Sequence, residues 1–132
     1  MRLELMEYVC VNLPVGFSPY YIYSMLVDNV EVGRIVLREG SDVERYYDGH
    51  IGYTVFDEFQ GHSYSYEGCL LLREKLSNVD HLIITCDPDN MASRRIIEKL
   101  GCKYIQTVTV PHQLKKWFAE DERVKMIFYW YL

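Results

Sequence analysis

Twice in this sequence a run suited to a β-strand gives way to a polar turn that opens an amphipathic helix. His50–Phe56 leads through Gln60-Gly61-His62-Ser63-Tyr64-Ser65 into Tyr64–Leu76, and His81–Cys86 leads through Asp89-Asn90-Met91-Ala92-Ser93 into Asn90–Leu100. Few folds accept that order. A strand–helix–strand unit calls for a parallel pair with a right-handed crossover. Two neighbouring units also point two helix N-termini the same way. Each carries unpaired N–H groups and the positive end of a helix dipole, so each is a ready site for an anion.

The periodicities support the assignment. Cys69, Leu72 and Leu76 share one stripe of the first helix, and Gly68 there permits close approach to a sheet. Ala92, Ile96, Ile97 and Leu100 form the apolar stripe of the second, which ends at Gly101, a residue suited to the C′ position. His81–Cys86 is almost continuously apolar, as expected of a strand covered on both faces. Around this centre, Leu3–Val11, Tyr20–Val27, Val30–Arg38, Lys103–Val110 and Val124–Leu132 read as strands. Asp28-Asn29 is a hairpin turn. Asn12–Pro19 and Glu39–Gly49 read as loops, and His112–Asp121 as either a short helix or a flexible excursion. The expectation is one α/β domain over residues 1–132, with a mixed, mostly antiparallel sheet, one parallel strand–helix–strand unit and two main helices.

Composition narrows the function classes. A formal net charge of −5 argues against a nucleic-acid partner. No apolar run nears the ~18 residues that span a bilayer, so no membrane role is expected. Cys10, Cys69, Cys86 and Cys102 lack metal-ligand spacing; no metal site and a reducing, cytoplasmic setting are expected. Most of the twelve tyrosines read as sheet filling.

Gln60–Ser65 after Gly52-Tyr53-Thr54-Val55, together with Asn90-Met91-Ala92-Ser93 before Glu98-Lys99-Leu100-Gly101-Cys102, resembles the signatures of the GNAT family of N-acetyltransferases, with features closest to its ribosomal-protein branch. The resemblance covers about Ile51 to Lys103. It implies acetyl-CoA as the acetyl donor and a small-molecule or peptide amine as acceptor. It also implies a cofactor site formed by Phe56, Gln60, Gly61, His62, Ser63, Tyr64, Ser65, Asn90, Ser93 and Arg94. Val55 is the implied oxyanion donor. Asp48 and His50, at the start of the same strand, are candidate bases. Asn90 and Ser93 also read simply as helix caps.

The sequence departs from the family pattern in four places. Ser63 stands where the family has glycine, His62 where it often has lysine, and Ile97 where many members carry a tyrosine that protonates the leaving thiolate. The segment before Tyr20 is too short for the family's usual N-terminal helix pair, so that pair is expected to be reduced or absent. The leading expectation is direct acetyl transfer without an acetyl-cysteine. A CoA-binding or dimer-forming domain that has lost catalysis, and a purely structural domain, are the alternatives. A homodimer is expected: the aromatic final strand, Met126–Leu132, left as an exposed edge or face would invite association, and the absent helices leave further sheet uncovered.

Overall fold

The computed structural model describes residues 1–111, 114 and 123–132. The helix-or-excursion reading of His112–Asp121 lies almost wholly outside them. Strands β1 (Arg2–Val9), β2 (Tyr20–Val27), β3 (Val30–Arg38) and β4 (Ile51–Val55) pair in sequence order as an antiparallel sheet. Asp28 and Asn29 make the β2–β3 turn with φ of 50° and 66°, the doubly left-handed geometry that matches strand twist in a tight hairpin. A short 3₁₀ turn, Asp57–Phe59, leads to helix α1 (Tyr64–Glu74). Strand β5 (His81–Cys86), helix α2 (Met91–Lys99), β6 (Lys103–Thr109) and β7 (Val124–Tyr131) complete the chain.

The second sheet has the order β5-β7-β6, all antiparallel. The crossover from β4 through α1 to β5 is present, but its two strands form no ladder. They touch where the His50 N–H donates to the Ile83 carbonyl (2.8 Å) and then separate. The two sheets therefore enclose a wedge-shaped cleft.

β7 is the central strand of its sheet, with Ile127, Phe128 and Trp130 buried. Of the features behind the homodimer expectation, an exposed edge at the final strand is therefore absent. The outer edges are β1 and β6, and β4 and β5 are the edges that flank the cleft.

Helix α1 packs on the face of the first sheet that carries Met25 and Ile35. A Cβ on Gly68 would come within 2.6 Å of both side chains, so glycine sets the distance between helix and sheet. The opposite face carries Tyr20, Ile22, Val36, Arg38 and Gly52, which are cross-strand partners. No helix lies between β1 and β2 to cover that face. In α2 the buried residues are Ser93 and Ile97, and Ala92 is exposed. The buried stripe is thus turned by one residue from the apolar pattern, and Ala92 and Ile96 line the cleft instead.

Candidate active site

The cleft has two connected lobes. The smaller, about 390 Å³, is bounded by Tyr53–Val55, the Phe59–Ser65 turn and the start of α2. The larger, about 780 Å³, lies against Ile51–Tyr53, the Glu44–Asp48 loop and Thr85–Asp87. Tyr53, Asn90 and Ser93 line both.

The turn before α1 has the conformation its composition requires. Gly61 has φ of 91°, and Ser63, the N-cap, has φ of 60° and ψ of 27°, in the left-handed region. Serine there carries a strain of about 1 kcal/mol that glycine would not. Its hydroxyl makes no capping bond. The first intrahelical bond runs from the Glu67 N–H to the Ser63 carbonyl (3.1 Å), so the N–H groups of Tyr64, Ser65 and Tyr66 precede the ladder. His62 stacks on Tyr64, with ring centroids 5.1 Å apart. Gln60, Gly61, His62, Ser63, Tyr64 and Ser65 all line the smaller lobe. Phe56 does not, and its N–H is taken by the Val32 carbonyl (2.9 Å).

That last bond fixes the orientation of Val55. Successive residues of a strand direct their backbone groups to opposite edges. With Phe56 bonded to β3, Val55 directs its own toward the cleft, where Gln60 Nε2 donates to its carbonyl (3.3 Å). The Val55 N–H points the same way.

On the other wall, Asn90 caps α2 by accepting from the Ser93 N–H (3.1 Å). The capping reading therefore holds for Asn90. Ser93 is in the first turn, and its Oγ lies 2.6 Å from the Tyr53 hydroxyl. Burial pushes the Tyr53 phenol well above its ordinary range, so it stays protonated. Tyr53 is the residue that sequence reading missed. It is one of twelve tyrosines in an alternating strand, and only its opposition to Ser93 sets it apart. Ile97 is fully buried in the core, away from the cleft. Arg94 donates to the Pro88 carbonyl (3.4 Å) and lines neither lobe.

His50 lies at neither lobe. It is buried; its Nδ1 accepts from the Ile83 N–H (2.9 Å), and its Nε2 donates to the Gly40 carbonyl (2.9 Å). Burial lowers its pKa. Both nitrogens hold backbone together, and neither is free to take a proton from a substrate. Asp48 does line the larger lobe, where its Oδ2 lies 2.8 Å from Arg45 Nη1. Val55 is four residues beyond Ile51, about 13 Å along an extended strand, so neither Asp48 nor His50 is a neighbour of the Val55 N–H. Cys86 lines the larger lobe but is buried, which raises its thiol pKa. Burial holds Cys69 and Cys102 at about 12.

Residues 15–103 match the family model described as an acetyltransferase (GNAT) domain. A comparison with curated proteins found no match. Among solved structures, RimL, a ribosomal L7/L12 alpha-N-protein acetyltransferase in complex with coenzyme A, superposes with a TM-score of 0.68 at 13% identity, over 86% of this chain and 62% of its own. The microcin C7 self-immunity acetyltransferase MccE, with acetyl-CoA and AMP, gives 0.67 at 13% identity, over 86% and 61%. An acetyltransferase from Salmonella typhimurium that modifies the N-terminal serine of ribosomal protein L7/L12 gives 0.62 at 15% identity, over 86% and 64%. The present chain thus spans under two thirds of the length of these proteins. Among the described residues, no helix is long and apolar enough to cross a membrane.

Proposed function

This chain belongs to the GNAT acetyltransferase family, and from that premise we propose that it transfers an acetyl group from acetyl-CoA directly to a primary amine. The observation that carries the reading is the orientation of Val55, whose N–H points into the cleft between two helix N-termini. In this reading the pyrophosphate lies on the N–H groups of the Gly61–Tyr66 turn. The pantetheine arm follows β4, and the thioester carbonyl accepts from Val55. That N–H stabilises the oxyanion as the amine attacks. The acceptor enters from the larger lobe. The amine nitrogen forms its bond to the acetyl carbon, the C–S bond breaks, and the amine's proton passes to water in the open lobe. The thiolate, with a pKa of about 8.5 as a free thiol, leaves readily, stabilised by a hydrogen bond donated from the Tyr53–Ser93 hydroxyl pair, and takes its proton from water in the open lobe.

No tyrosine from α2 is needed, because β4 supplies a phenol at the junction of the lobes. Neither His50 nor a cysteine takes part. Titration with acetyl-CoA by calorimetry, followed by thiol release against an amine panel, tests the reading; absence of acetyl-CoA binding overturns it. Strain at Ser63 favours a second reading, a CoA-binding domain without turnover. It would give binding with no thiol release for any amine.

A further inference from the structure

The larger lobe contains one guanidinium that makes no close ion pair with any described residue. Three cations line it: Arg38, Arg45 and Lys125. Arg45 is paired with Asp48 at 2.8 Å, and Lys125 Nζ lies 2.8 Å from Asp87 Oδ1. Glu44, at the rim, is exposed and engaged with Ser41, whose N–H donates to Glu44 Oε1 (3.0 Å). Arg38 has no carboxylate oxygen within 4.0 Å among the described residues. Its Nη1 donates to the Asp48 and Gly49 carbonyls (3.2 Å each), and Nη2 has no hydrogen-bond partner among those residues. Burial depresses its pKa, a sign of a guanidinium withdrawn from water, although the Asp48 carboxylate, already engaged with Arg45, opposes the shift from a longer distance.

An unpaired guanidinium held off from solvent is costly unless something completes it. The backbone brings it to this position. Arg38 ends β3 and folds back over Gly52, where a Cβ would stand 3.0 Å from Nη2. The flat guanidinium fits because residue 52 has no side chain. Its two carbonyl bonds fix one edge and leave the other toward the lobe. Arginine in this pose matches a carboxylate or phosphate with two parallel donors.

We infer that the acceptor amine also carries an oxyanion, a carboxylate or a phosphate, and that Arg38 binds it. The inference rests on the acetyl-transfer reading for the position of the amine. Gly52 and Val55 are three residues apart, about 10 Å along the strand. The oxyanion is therefore several bonds from the reacting nitrogen. The carboxylate of a free α-amino acid, one carbon from its own α-amine, does not span that distance; an ω-amino acid, a peptide side chain or an aminoalkyl phosphate does.

The test uses matched probes: 6-aminohexanoate, 6-aminohexyl phosphate and 6-aminohexanamide, titrated into the protein with and without saturating CoA. The expected result is binding of one or both anionic probes about tenfold to a hundredfold more tightly than the amide. The stronger arm identifies the oxyanion as carboxylate or phosphate. Arg38→Gln removes the preference, Arg38→Lys retains part of it, and both keep the acetyl-CoA affinity of the parent. Equal affinity for all three probes, no affinity for any, or a preference that survives Arg38→Gln overturns the assignment. If Arg38→Gln does not fold, the parent's own selectivity and Arg38→Lys decide. Failure of acetyl-CoA to bind the parent sinks the transfer reading and leaves the probe comparison without CoA to stand separately.

Discussion

Tyr53 on β4 and Ser93 on α2 share a 2.6 Å hydrogen bond across the line where the two lobes of the cleft meet. Each hydroxyl is held by the other, both residues line both lobes, and in the proposed reaction they donate toward the departing thiolate. Removing either should slow turnover more than it weakens cofactor binding. Tyr53→Phe and Ser93→Ala are each expected to lower kcat by about tenfold to a hundredfold or more. Both should leave the acetyl-CoA Kd within a few-fold. Steady-state kinetics at saturating acetyl-CoA, beside calorimetric titration, check this; an unchanged kcat in both variants removes the pair from the mechanism.

Ser63 has a backbone conformation that suits glycine, with no capping bond to compensate. Ser63→Gly should raise stability by about 1 kcal/mol, less the entropy that glycine adds to the unfolded chain. It should keep or improve acetyl-CoA affinity. Ser63→Val should lose both stability and affinity, because a β-branched residue tolerates positive φ worst. Thermal melts with and without acetyl-CoA measure each effect.

Two histidines pull the pH dependence of stability in opposite directions. His50 is buried neutral, with its pKa lowered by burial. The unfolded chain binds its proton first, so stability falls as pH drops below about 6.5, the ordinary imidazole value. His81 is the reverse. Hydrogen bonds to Asp42 (2.7 Å) and Asp80 (2.9 Å) raise its pKa. Its contribution is complete below about 6.5 and is lost as pH rises through the higher folded value. His81→Phe keeps a ring against Tyr129 and removes the charge. The variant should therefore lose stability more steeply than the parent between pH 7 and pH 5. Urea unfolding across that range measures it; parallel curves would refute it.

A covalent acetyl-cysteine is not expected. Cys86 lines the larger lobe, and burial raises its pKa, the wrong direction for a nucleophile. Incubation with acetyl-CoA and no amine, followed by intact mass under conditions that preserve thioesters, should show no stable adduct. An adduct that vanishes in Cys86→Ala and passes to added amine would reverse this conclusion.

The repeating elements were readable because local pattern sets them. The hairpin at Asp28-Asn29, the strand His81–Cys86 and the two helices all follow from turn chemistry and periodicity. The residues of the larger lobe were not readable. Arg38 and Tyr53 look like any arginine at a strand end and any tyrosine within one. What distinguishes them is a bond or a gap set by residues far away in sequence, such as Ser93 for Tyr53. His50 misled for the same reason. Its intrinsic pKa suits a base, but Ile83, supplied by another strand, has already claimed its nitrogen. The dimer expectation named the final strand as an edge or a face and the sheet that the absent helices leave uncovered; the position of β7 between β5 and β6 answers only the first of these, because it depends on pairing far away in sequence.

That insertion sets the order of assembly. β1 to β4 pair each with the next in sequence, so their meander can form from near neighbours at low entropic cost. β5 has no such neighbour. Its partner is β7, with His81 opposite Tyr131, and a long stretch of chain must close before the ladder forms. The wall of the cleft that carries Asn90 and Ser93 is therefore the slower half to become firm. A chain caught before β7 docks would hold a finished first sheet and a bare β5 edge. Refolding followed by hydrogen exchange would then protect Tyr23 and Ile35 well before Leu82 and Ile84, which pair with Trp130 and Phe128 of β7.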